Sequence, residues 1–480
     1  MEFKTSPNVL PSDCIVLGID ADGQLSKSAQ TIDQQAGNVL SRAVKAGDIS
    51  SKSGKTTLVP LPETSDHAAA LVIATGKTEE LSVEQAYRLG AISLKTLSDR
   101  QRDQIGVTLT AGWAPEFVEA FVAGACAGSN GQGIYLAEPK LMAPKTVTLV
   151  GADEAAVRSG QILGNSVNLT RRLVNEPGNV IYPETFAQRA KTVADECGLA
   201  IEIWDEKKLE EENCQAILAV GRGSVHPPRL VKITYNGAPD NKDAPVALVG
   251  KGVTFDSGGL SLKPSPSMLD MKMDMAGAAT VLGVLQCIAQ LKLPCNVVGY
   301  MGLAENMLDG DNYRLGDVIR SRSGKTIEIH NTDAEGRVVL ADVLDVANEG
   351  NPASIVDLAT LTGACLVALG TKIVGLMGNN DALQSEIQTA AKEVGEHVWP
   401  LPMHSFFDEQ VRSKVADLKN VGDGRWGGSI TAAKFLEAFV GDTPWLHMDI
   451  AGPAFADSAT PEQDAGGTGA MVRTLVQWLR

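Results

Sequence analysis

The sequence predicts an α/β protein of two domains, each with a mostly parallel or mixed sheet flanked by helices, the carboxyl-terminal domain being the larger. Its 480 residues exceed one ordinary domain of roughly 100–200 residues. A composition of 44% hydrophobic and 21% charged residues with 48 glycines is typical of a turn-rich globular chain. Short apolar runs also alternate with helical patterns, and this order predicts βαβ units.

The first predicted domain covers residues 1–160 and carries few clustered polar residues. Its predicted elements are strands at 67–76, 105–112 and 145–151 and helices at 83–97 and 115–128. A long helical stretch follows at 153–174 and stops where Pro177 and Gly178 would end a helix. We therefore place the domain boundary inside or just before this stretch, after residue 160.

The second predicted domain covers residues 161–480. Its predicted elements are strands at 246–252, 296–303, 354–361 and 445–452 and helices at 276–291 and 430–440. Polar residues concentrate after these strands. Open α/β sheets bind ligands at the carboxyl ends of their strands, so the functional site is expected there.

Charge and cysteine usage exclude several classes of protein. The formal charge of −16 disfavours a surface that works by neutralising nucleic-acid phosphates or anionic lipid. The seven cysteines are scattered singly without a C-x-x-C pair, which predicts buried thiols in a reducing compartment. No stretch approaches ~18 continuous apolar residues. We predict a cytoplasmic protein with no membrane partner.

Two clusters of charged residues follow predicted strands. The glycine-rich segment 250–274 carries Lys251, Asp256, Lys263 and Asp274. The second cluster is NTDAEGR at 331–337, between a strand-like run at 325–330 and a helical pattern at 338–350.

Four carboxylates in one place repel each other, and each costs free energy when it is shielded from water. Asp256, Asp274, Asp333 and Glu335 together offer enough oxygens for two divalent cations ~3.5–4 Å apart, which would activate a water and stabilise an oxyanion. Taken singly, each acid is more often a helix cap or a solvated surface residue. Nearby lysines could stabilise negative charge, and an arginine could hold an anion through its planar fork of donors.

These residues lie in segments that resemble a known family. NTDAEGR, KGVTFDSGG, MKMDMAGAA, DLATLTGA, ADLKNVG and GRWGGSITAA are similar to the blocks of the leucyl aminopeptidases, the cytosol aminopeptidase family of dinuclear metallo-exopeptidases. The resemblance covers about residues 165–480, so the larger domain would be catalytic. One departure is Val338, where the family signature usually has leucine.

The resemblance implies a role for each charged residue. Lys251, Asp256, Asp274 and Glu335 would form a tight metal site, and Asp256, Asp333 and Glu335 a more exchangeable one. Lys263 would polarise the scissile carbonyl. Arg337 would hold a bicarbonate that acts as general base. The ions would be Mn²⁺ or Zn²⁺, with Mg²⁺ also compatible, because carboxylates with one amine accept all three.

The resemblance also implies a substrate and an assembly. The enzyme would remove the first residue of a peptide, preferably leucine or another apolar residue, and would form a homohexamer. The positions that match the family's apolar pocket are Met271, Asn331, Ala334, Thr360, Leu361, Gly363, Ala451 and Ala454.

Two other function classes stay open at this stage. Some bacterial members of the family also bind DNA, which here would use basic clusters such as Arg42, Lys45, Lys52 and Lys55, although the overall acidity argues against it. The same carboxylates could instead serve a two-metal phosphohydrolase.

Overall fold

The structure is a computed structural model that describes residues 1–77, 81–241 and 243–480. These residues form two compact units. One comprises Met1–Asn168 with Asp457–Gly466, and the other Leu169–Ala456 with Gly467–Arg480. The division falls inside one long helix, and the sequence-based boundary after residue 160 lies in the same helix. No sequence pattern indicated that 457–466 would join the first unit.

The first unit is a parallel sheet with one antiparallel edge. Its strands are β1 (Glu2–Ser6), β2 (Cys14–Asp20), β3 (Thr56–Pro60), β4 (Ala69–Gly76), β5 (Gln104–Val107) and β6 (Thr146–Val150). Its helices are α1 (Lys27–Gln35), α2 (Val39–Ala46), α3 (Val83–Leu97) and α4 (Pro115–Gly128), and α5 (Glu154–Asn175) contains the division. The strand order is β1-β6-β5-β2-β4-β3, and β3 pairs antiparallel with β4.

Within the described residues, the second unit has a larger mixed sheet of eight strands and also contains a separate sheet of three short strands. Its strands are β7 (Ala200–Trp204), β8 (Arg229–Asn236), β9 (Val246–Asp256), β10 (Asn296–Asn306), β11 (Val318–Arg320), β12 (Thr326–Glu328), β13 (Ser354–Ala359), β14 (Ile373–Gly378), β15 (His397–Pro400), β16 (Leu418–Lys419), β17 (Trp445–Asp449) and β18 (Phe455–Ala456), followed by β19 (Gly466–Gly467) at the division.

Helices cover this sheet and connect its strands. They are α6 (Pro183–Cys197), α7 (Glu206–Glu211), α8 (Gln215–Gly221), α9 (Ser265–Met268), α10 (Ala276–Leu291), α11 (Glu335–Glu349), α12 (Gly363–Leu369), α13 (Asp381–Val394), α14 (Gly428–Glu437) and α15 (Val472–Trp478), with 3₁₀ helices at Met271–Met275 and Ser405–Val411.

The middle of the large sheet determines where the functional residues meet. The strand order is β15-β14-β17-β13-β9-β10-β8-β7, and the four strands β17, β13, β9 and β10 run parallel. Their carboxyl ends therefore share one edge. This arrangement confirms the predicted α/β class with mixed sheets and places the segments after β9 and β13 side by side.

One helical stretch in the described residues, Met271–Leu291, is long and apolar enough to cross a membrane by length and composition. Its most apolar window is 78% buried inside the fold. Within it, α10 buries Ala278, Leu282 and Leu285 completely. This is the burial of a helix that covers the core of its own sheet.

The sequence pattern located helices better than strand ends. α3, α4 and α10 begin and end where the pattern predicts. β5 is shorter than the predicted strand at 105–112, because the chain turns after Val107 and the amide of Ala111 bonds to the carbonyl of Thr108. α11 begins at Glu335 rather than Val338, which places the end of NTDAEGR in its first turn.

Candidate metal centre

The charged residues of both sequence clusters meet at the carboxyl edge of the large sheet. Lys251 lies within β9 and Asp256 ends it. Asp274 lies in the 3₁₀ helix before α10, and Glu335 is the first residue of α11. Asp256 and Asp274 thus come at the end of β9 of the large sheet and after it, whereas the loop at 331–334 follows β12, which belongs to a separate three-stranded sheet. Tertiary packing, not the pairing of neighbouring parallel strands, therefore brings the second cluster to this edge.

The turn after β9 brings Lys263 back over the end of that strand. Gly258 and Gly259 have φ angles of 86° and 63°, a left-handed conformation that glycine adopts without strain. The amide of Lys263 then donates to the carbonyl of Ser257 at 2.9 Å. The last two glycines of KGVTFDSGG are thus explained by this turn.

One half of the site is closed around the Lys251 ammonium. Its Nζ lies 2.7 Å from Asp274 Oδ2 and 2.8 Å from Glu335 Oε1. It also donates to the carbonyl of Thr360 at 2.9 Å. The side chains of Lys251, Asp274 and Glu335 are only 3%, 6% and 2% exposed. We call these three residues the closed half.

The glycine of NTDAEGR, Gly336, is required by a close contact with Lys251. A Cβ atom at this position would overlap Cε and Nζ of Lys251. The first turn of α11 therefore approaches the lysine more closely than any side chain would permit, and this approach lets Glu335 reach the ammonium.

The other half of the site is more accessible. Lys263 Nζ lies 2.9 Å from Asp256 Oδ2 and 2.6 Å from Asp333 Oδ1. The Lys263 and Asp333 side chains are 16% and 32% exposed, whereas Asp256 is buried. We call Lys263 and Asp333 the open half, and Asp256 is its inner partner.

Burial opposes charge throughout this cluster. Desolvation raises the pKa of Asp256, Asp274 and Asp333 above the ordinary value of 3.8. Burial alone would lower the pKa of Lys251, but the charges of Asp274 and Glu335 outweigh it and raise that pKa. In this state Lys251 is an ammonium. The neutral amine that metal ligation needs depends on cations being present.

The donor set fits divalent cations. Oxygens of Asp256, Asp333 and Glu335 lie within 4.8 Å of one another. Asp274 Oδ2 and Asp333 Oδ1 are buried and receive no directed hydrogen bond from a described residue, although each lies near an ammonium. Four carboxylates against two ammonium groups also leave an excess of negative charge, which cations of higher charge would neutralise.

Arg337 is buried beside this group and keeps one free donor. Its Nη1 donates to the carbonyl of Asn420 at 2.9 Å, while its Nε has no hydrogen-bond partner among the described residues. Burial lowers the pKa of Arg337 to about 10, although the Glu335 charge opposes that shift. A buried guanidinium with an unpaired N–H is suited to an oxyanion, the type of ligand predicted for it.

Sequence reasoning missed the residues that position the ligands. Asn306, at the end of β10, donates to Asp256 Oδ1 at 2.8 Å and to the carbonyl of Thr332 at 3.0 Å. The hydroxyl of Tyr313 donates to the same carbonyl at 2.8 Å. The position of Asn306 after a predicted strand was the available signal, but nothing near Tyr313 in the sequence indicated its contact.

Asn420 and Asp449 fix the two remaining loops. The Asn420 side chain accepts from the amide of His330 at 2.8 Å and donates to the carbonyl of Asn331 at 2.6 Å. Asp449, which ends β17, accepts from Thr362 Oγ1 at 2.6 Å and from the amide of Ala451 at 3.2 Å. Asn420 lies inside the quoted block ADLKNVG, and Asp449 lies in the predicted strand at 445–452, yet their residue types alone give no role.

The structure gives a direct contact with the charged group for one of the predicted substrate-binding residues and a nearby loop position or hydrogen bond for four others. Thr360 makes direct contact, since its Oγ1 donates to Asp274 Oδ1 at 2.7 Å. Asn331 and Ala334 lie in the loop before α11. The amides of Leu361 and Ala451 both donate to Asp449 Oδ1, at 3.3 and 3.2 Å.

For the other three predicted substrate-binding residues the structure gives placement alone. Met271 begins the 3₁₀ helix that carries Asp274, Gly363 begins α12 at the exposed surface, and Ala454 is buried.

Comparison with known proteins identifies the family. Residues 168–476 match the family model for the cytosol aminopeptidase family, catalytic domain, and residues 16–131 match the one for its N-terminal domain. The chain belongs to the cytosol aminopeptidase family. It is therefore an aminopeptidase, a hydrolase that removes residues from the amino terminus of peptides, as the sequence predicted.

Relatives and solved structures are similar over nearly the whole chain. A probable cytosol aminopeptidase from Rhodopirellula baltica is 53% identical, covering 99% of this chain and 96% of its own. The cytosol aminopeptidase of Pseudomonas aeruginosa is 40% identical, covering 100% of this chain and 99% of its own.

Two solved structures share the fold at similar coverage. The bottromycin maturation enzyme BotP in complex with Mn has a TM-score of 0.86 at 35% identity and covers 98% of this chain and 99% of its own. A tomato leucine aminopeptidase mutant has a TM-score of 0.89 at 31% identity, covering 100% of this chain and 96% of its own.

Proposed function

We propose that this cytosol aminopeptidase removes amino-terminal leucine and similar apolar residues with the help of two divalent cations, Mn²⁺ or Zn²⁺, with Mg²⁺ also compatible. The observation that carries the proposal is the cluster of four carboxylates and two lysines at the sheet edge, where Asp256, Asp333 and Glu335 oxygens lie within 4.8 Å of one another. Such ions supply a Lewis acid for the carbonyl and a water of lowered pKa.

The two halves of the cluster suit different tasks. Lys251, Asp256, Asp274 and Glu335 would hold the tight ion, and Asp256, Asp333 and Glu335 the exchangeable one. Lys263 is partly exposed, so its ammonium can reach the scissile carbonyl oxygen and stabilise the charge that develops there. Asp256 and Asp333 keep that ammonium in position.

Arg337 would orient a bicarbonate that accepts a proton during hydrolysis. The support is its buried guanidinium, which has one hydrogen bond to Asn420 and an unpaired Nε. No histidine lies among the charged residues of the cluster, so a bound anion is a reasonable base. The Arg337 side chain fixes where that anion would sit.

The expected preference for leucine follows from the family resemblance, which assigns the apolar pocket to positions that carry small residues in this chain. Ala334, Gly363, Ala451 and Ala454 would leave space for an apolar side chain, and a Cβ atom at Gly363 would meet nothing within 4 Å. Met271 and Leu361 would add flexible apolar surface. Thr360 ties this surface to the metal ligands through Asp274.

A substrate panel tests the proposal. The protein reconstituted with Mn²⁺ or Zn²⁺ should hydrolyse leucine p-nitroanilide faster than the glutamate and lysine analogues, and Lys263→Ala should abolish most of that activity. The exposed Lys145→Ala serves as the matched control. Equal rates on all side chains would overturn the leucine preference, and turnover of p-nitrophenyl phosphate instead of the anilide would favour the phosphohydrolase alternative.

We also propose a cytoplasmic homohexamer, as the family resemblance implies. Light scattering of the purified protein tests the assembly directly, since a monomer or dimer mass would contradict it. DNA binding is not favoured, because the chain carries 58 acidic against 42 basic residues. A salt-dependent gel shift that Lys52→Ala and Lys55→Ala weaken would reverse this judgement.

A further inference from the structure

A polar cavity in the larger unit is lined by residues that are not part of the carboxylate cluster. It has a volume of 330 Å³. Its walls are formed by α8, by the loop between β10 and β11, and by β11 itself. The buried Tyr313 ring contributes to its wall. This size falls at the lower end of small-molecule sites.

Arginines dominate the charge of this cavity. Arg222, Arg314 and Arg320 line it, and Asp317 is the one acid among the described lining residues. This local excess of positive charge is opposite to the balance of the whole chain, which is −16. A concave site of one sign concentrates counter-ions of the other sign.

The guanidinium groups have donors to spare. The Arg222 side chain makes no hydrogen bond or ion pair with any residue in the described ranges. Arg314 is 72% exposed and lies 3.4 Å from Asp317 Oδ1, and Arg320 uses Nη1 on the carbonyl of Gly324 at 2.9 Å. Several N–H groups thus remain available around the cavity, in the fork geometry that matches phosphate and carboxylate.

The backbone that carries these arginines is firmly packed. Asp342 caps the first turn of α8 by accepting from the amides of Ala216 and Ile217 at 2.8 and 3.0 Å. Next to Arg222, a Cβ atom at Gly223 would lie 2.5 Å from the carbonyl oxygen of Met307. Arg222 therefore extends from a backbone that packs closely against the start of the loop after β10.

We propose that this cavity binds a small dianion, such as a phosphate or dicarboxylate group, which is a binding function separate from peptide hydrolysis. Arg222 and Arg320 would hold the ligand, and Arg314 would contribute a third guanidinium at the same cavity. Asp317 remains paired with Arg314, so the site selects for two negative charges rather than one.

The site is coupled to the catalytic edge through Tyr313. The Tyr313 hydroxyl donates to the carbonyl of Thr332 at 2.8 Å, and Thr332 directly precedes the predicted ligand Asp333. Arg314 is the next residue after Tyr313. An anion held by Arg314 would therefore restrain the residue that supports the Asp333 loop.

Arginine modification with sulfate as the probe tests the proposal. The metal-loaded enzyme is treated with phenylglyoxal in sulfate or in chloride of equal ionic strength, and modified arginines are mapped by mass spectrometry. Sulfate should slow modification of Arg222 and Arg320 at least about threefold. The exposed Arg412, which pairs with Glu409 at 3.2 Å, is the control and should not change.

Calorimetric titration of the same enzyme supplies the second readout. Arg222→Ala combined with Arg320→Ala should weaken sulfate binding at least about tenfold, whereas Arg412→Ala should leave it unchanged. A parallel titration with succinate distinguishes a phosphate-like ligand from a dicarboxylate, because the anion that binds more tightly indicates which type the cavity prefers. Equal protection of Arg412, or unchanged sulfate affinity in the double variant, would overturn the proposal, as would no binding of either anion.

Discussion

The two lysines of the candidate metal centre have similar partners but different surroundings. Lys251 contacts Asp274 and Glu335 in the closed half, where all three side chains are almost fully buried. Lys263 contacts Asp256 and Asp333, and it is 16% exposed while Asp333 is 32% exposed. The same pairing of an ammonium with carboxylates therefore occurs twice, once with all side chains buried and once with side chains that solvent can reach.

This difference indicates how one cluster can hold a firmly bound ion and an exchangeable one. Ligands without access to water lose an ion slowly, because the opening that releases it exposes buried charges. Under the proposed function, the open half would exchange its ion and admit the substrate. Each prediction below either removes the distinction between the halves or measures its size.

The largest effect is expected from Glu335→Ala, since Glu335 serves both halves. Its carboxylate contacts Lys251 at 2.8 Å and lies within 4.8 Å of oxygens of Asp256 and Asp333. We expect kcat/KM to fall at least about 10³-fold and bound metal per chain to decrease, both measured on the purified variant. The exposed Glu409→Ala is the control. Near-normal turnover would show that Glu335 is only a helix-start residue.

A smaller loss is expected from Lys263→Ala, and it should separate catalysis from metal binding. The ammonium is predicted to stabilise charge on the substrate, so kcat should fall about 10²–10³-fold while the metal content stays the same. Lys251→Ala should instead lower the metal content. If both variants lose metal equally, the two halves do not differ in the way proposed.

Gly336→Ala tests the close approach on which the closed half depends. The added Cβ would overlap the Lys251 side chain and displace it, so we expect activity to fall about 10–10²-fold without unfolding. Gly310→Ala introduces the same methyl where nothing lies within 4 Å and is the matched control. Equal activity of the two variants, with equal circular dichroism spectra, would contradict the prediction.

The smallest effect concerns the stability of metal-free protein as a function of pH. Burial raises the pKa of Asp274 well above its ordinary value of 3.8. As the pH rises above 3.8, the unfolded chain loses this proton before the folded protein does, so the wild type loses stability over that range. Asp274→Asn should therefore gain Tm relative to the wild type between pH 4 and 7, by about 2–4 °C.

Metal should reverse this order, because the wild-type carboxylate then has a cation as partner. The exposed Asp240→Asn controls for the loss of one negative charge. A Tm difference between Asp274→Asn and the wild type that stays constant with pH would argue against a buried, costly carboxylate.

The sequence predicted the fold class and brought the charged residues into one group, but it did not predict their asymmetry. Asp256 ends a parallel strand of the large sheet, as the pattern predicted, because ligands bind at the carboxyl ends of such strands. NTDAEGR instead follows β12 of a separate three-stranded sheet, so its position at the same edge depends on tertiary packing. Which lysine is enclosed depends on how closely α11 approaches β9. That distance is determined by Gly336 and by packing that no local pattern encodes.

The positioning residues were missed for a related reason. Asn306, Tyr313 and Asn420 act through hydrogen bonds to backbone carbonyls of the loop at 331–334. An asparagine or tyrosine in a loop has many ordinary uses, so residue type gives little information. Only the tertiary structure shows that all three converge on the segment that presents Asp333.

Anomalous diffraction from crystals soaked in Mn²⁺ and then briefly in a weak chelator tests the asymmetry most directly. We predict two peaks before chelation, one against Lys251 and Asp274 and one against Asp333, with only the second losing occupancy afterwards. A single peak, or equal loss from both positions, would contradict the account of a closed and an open half.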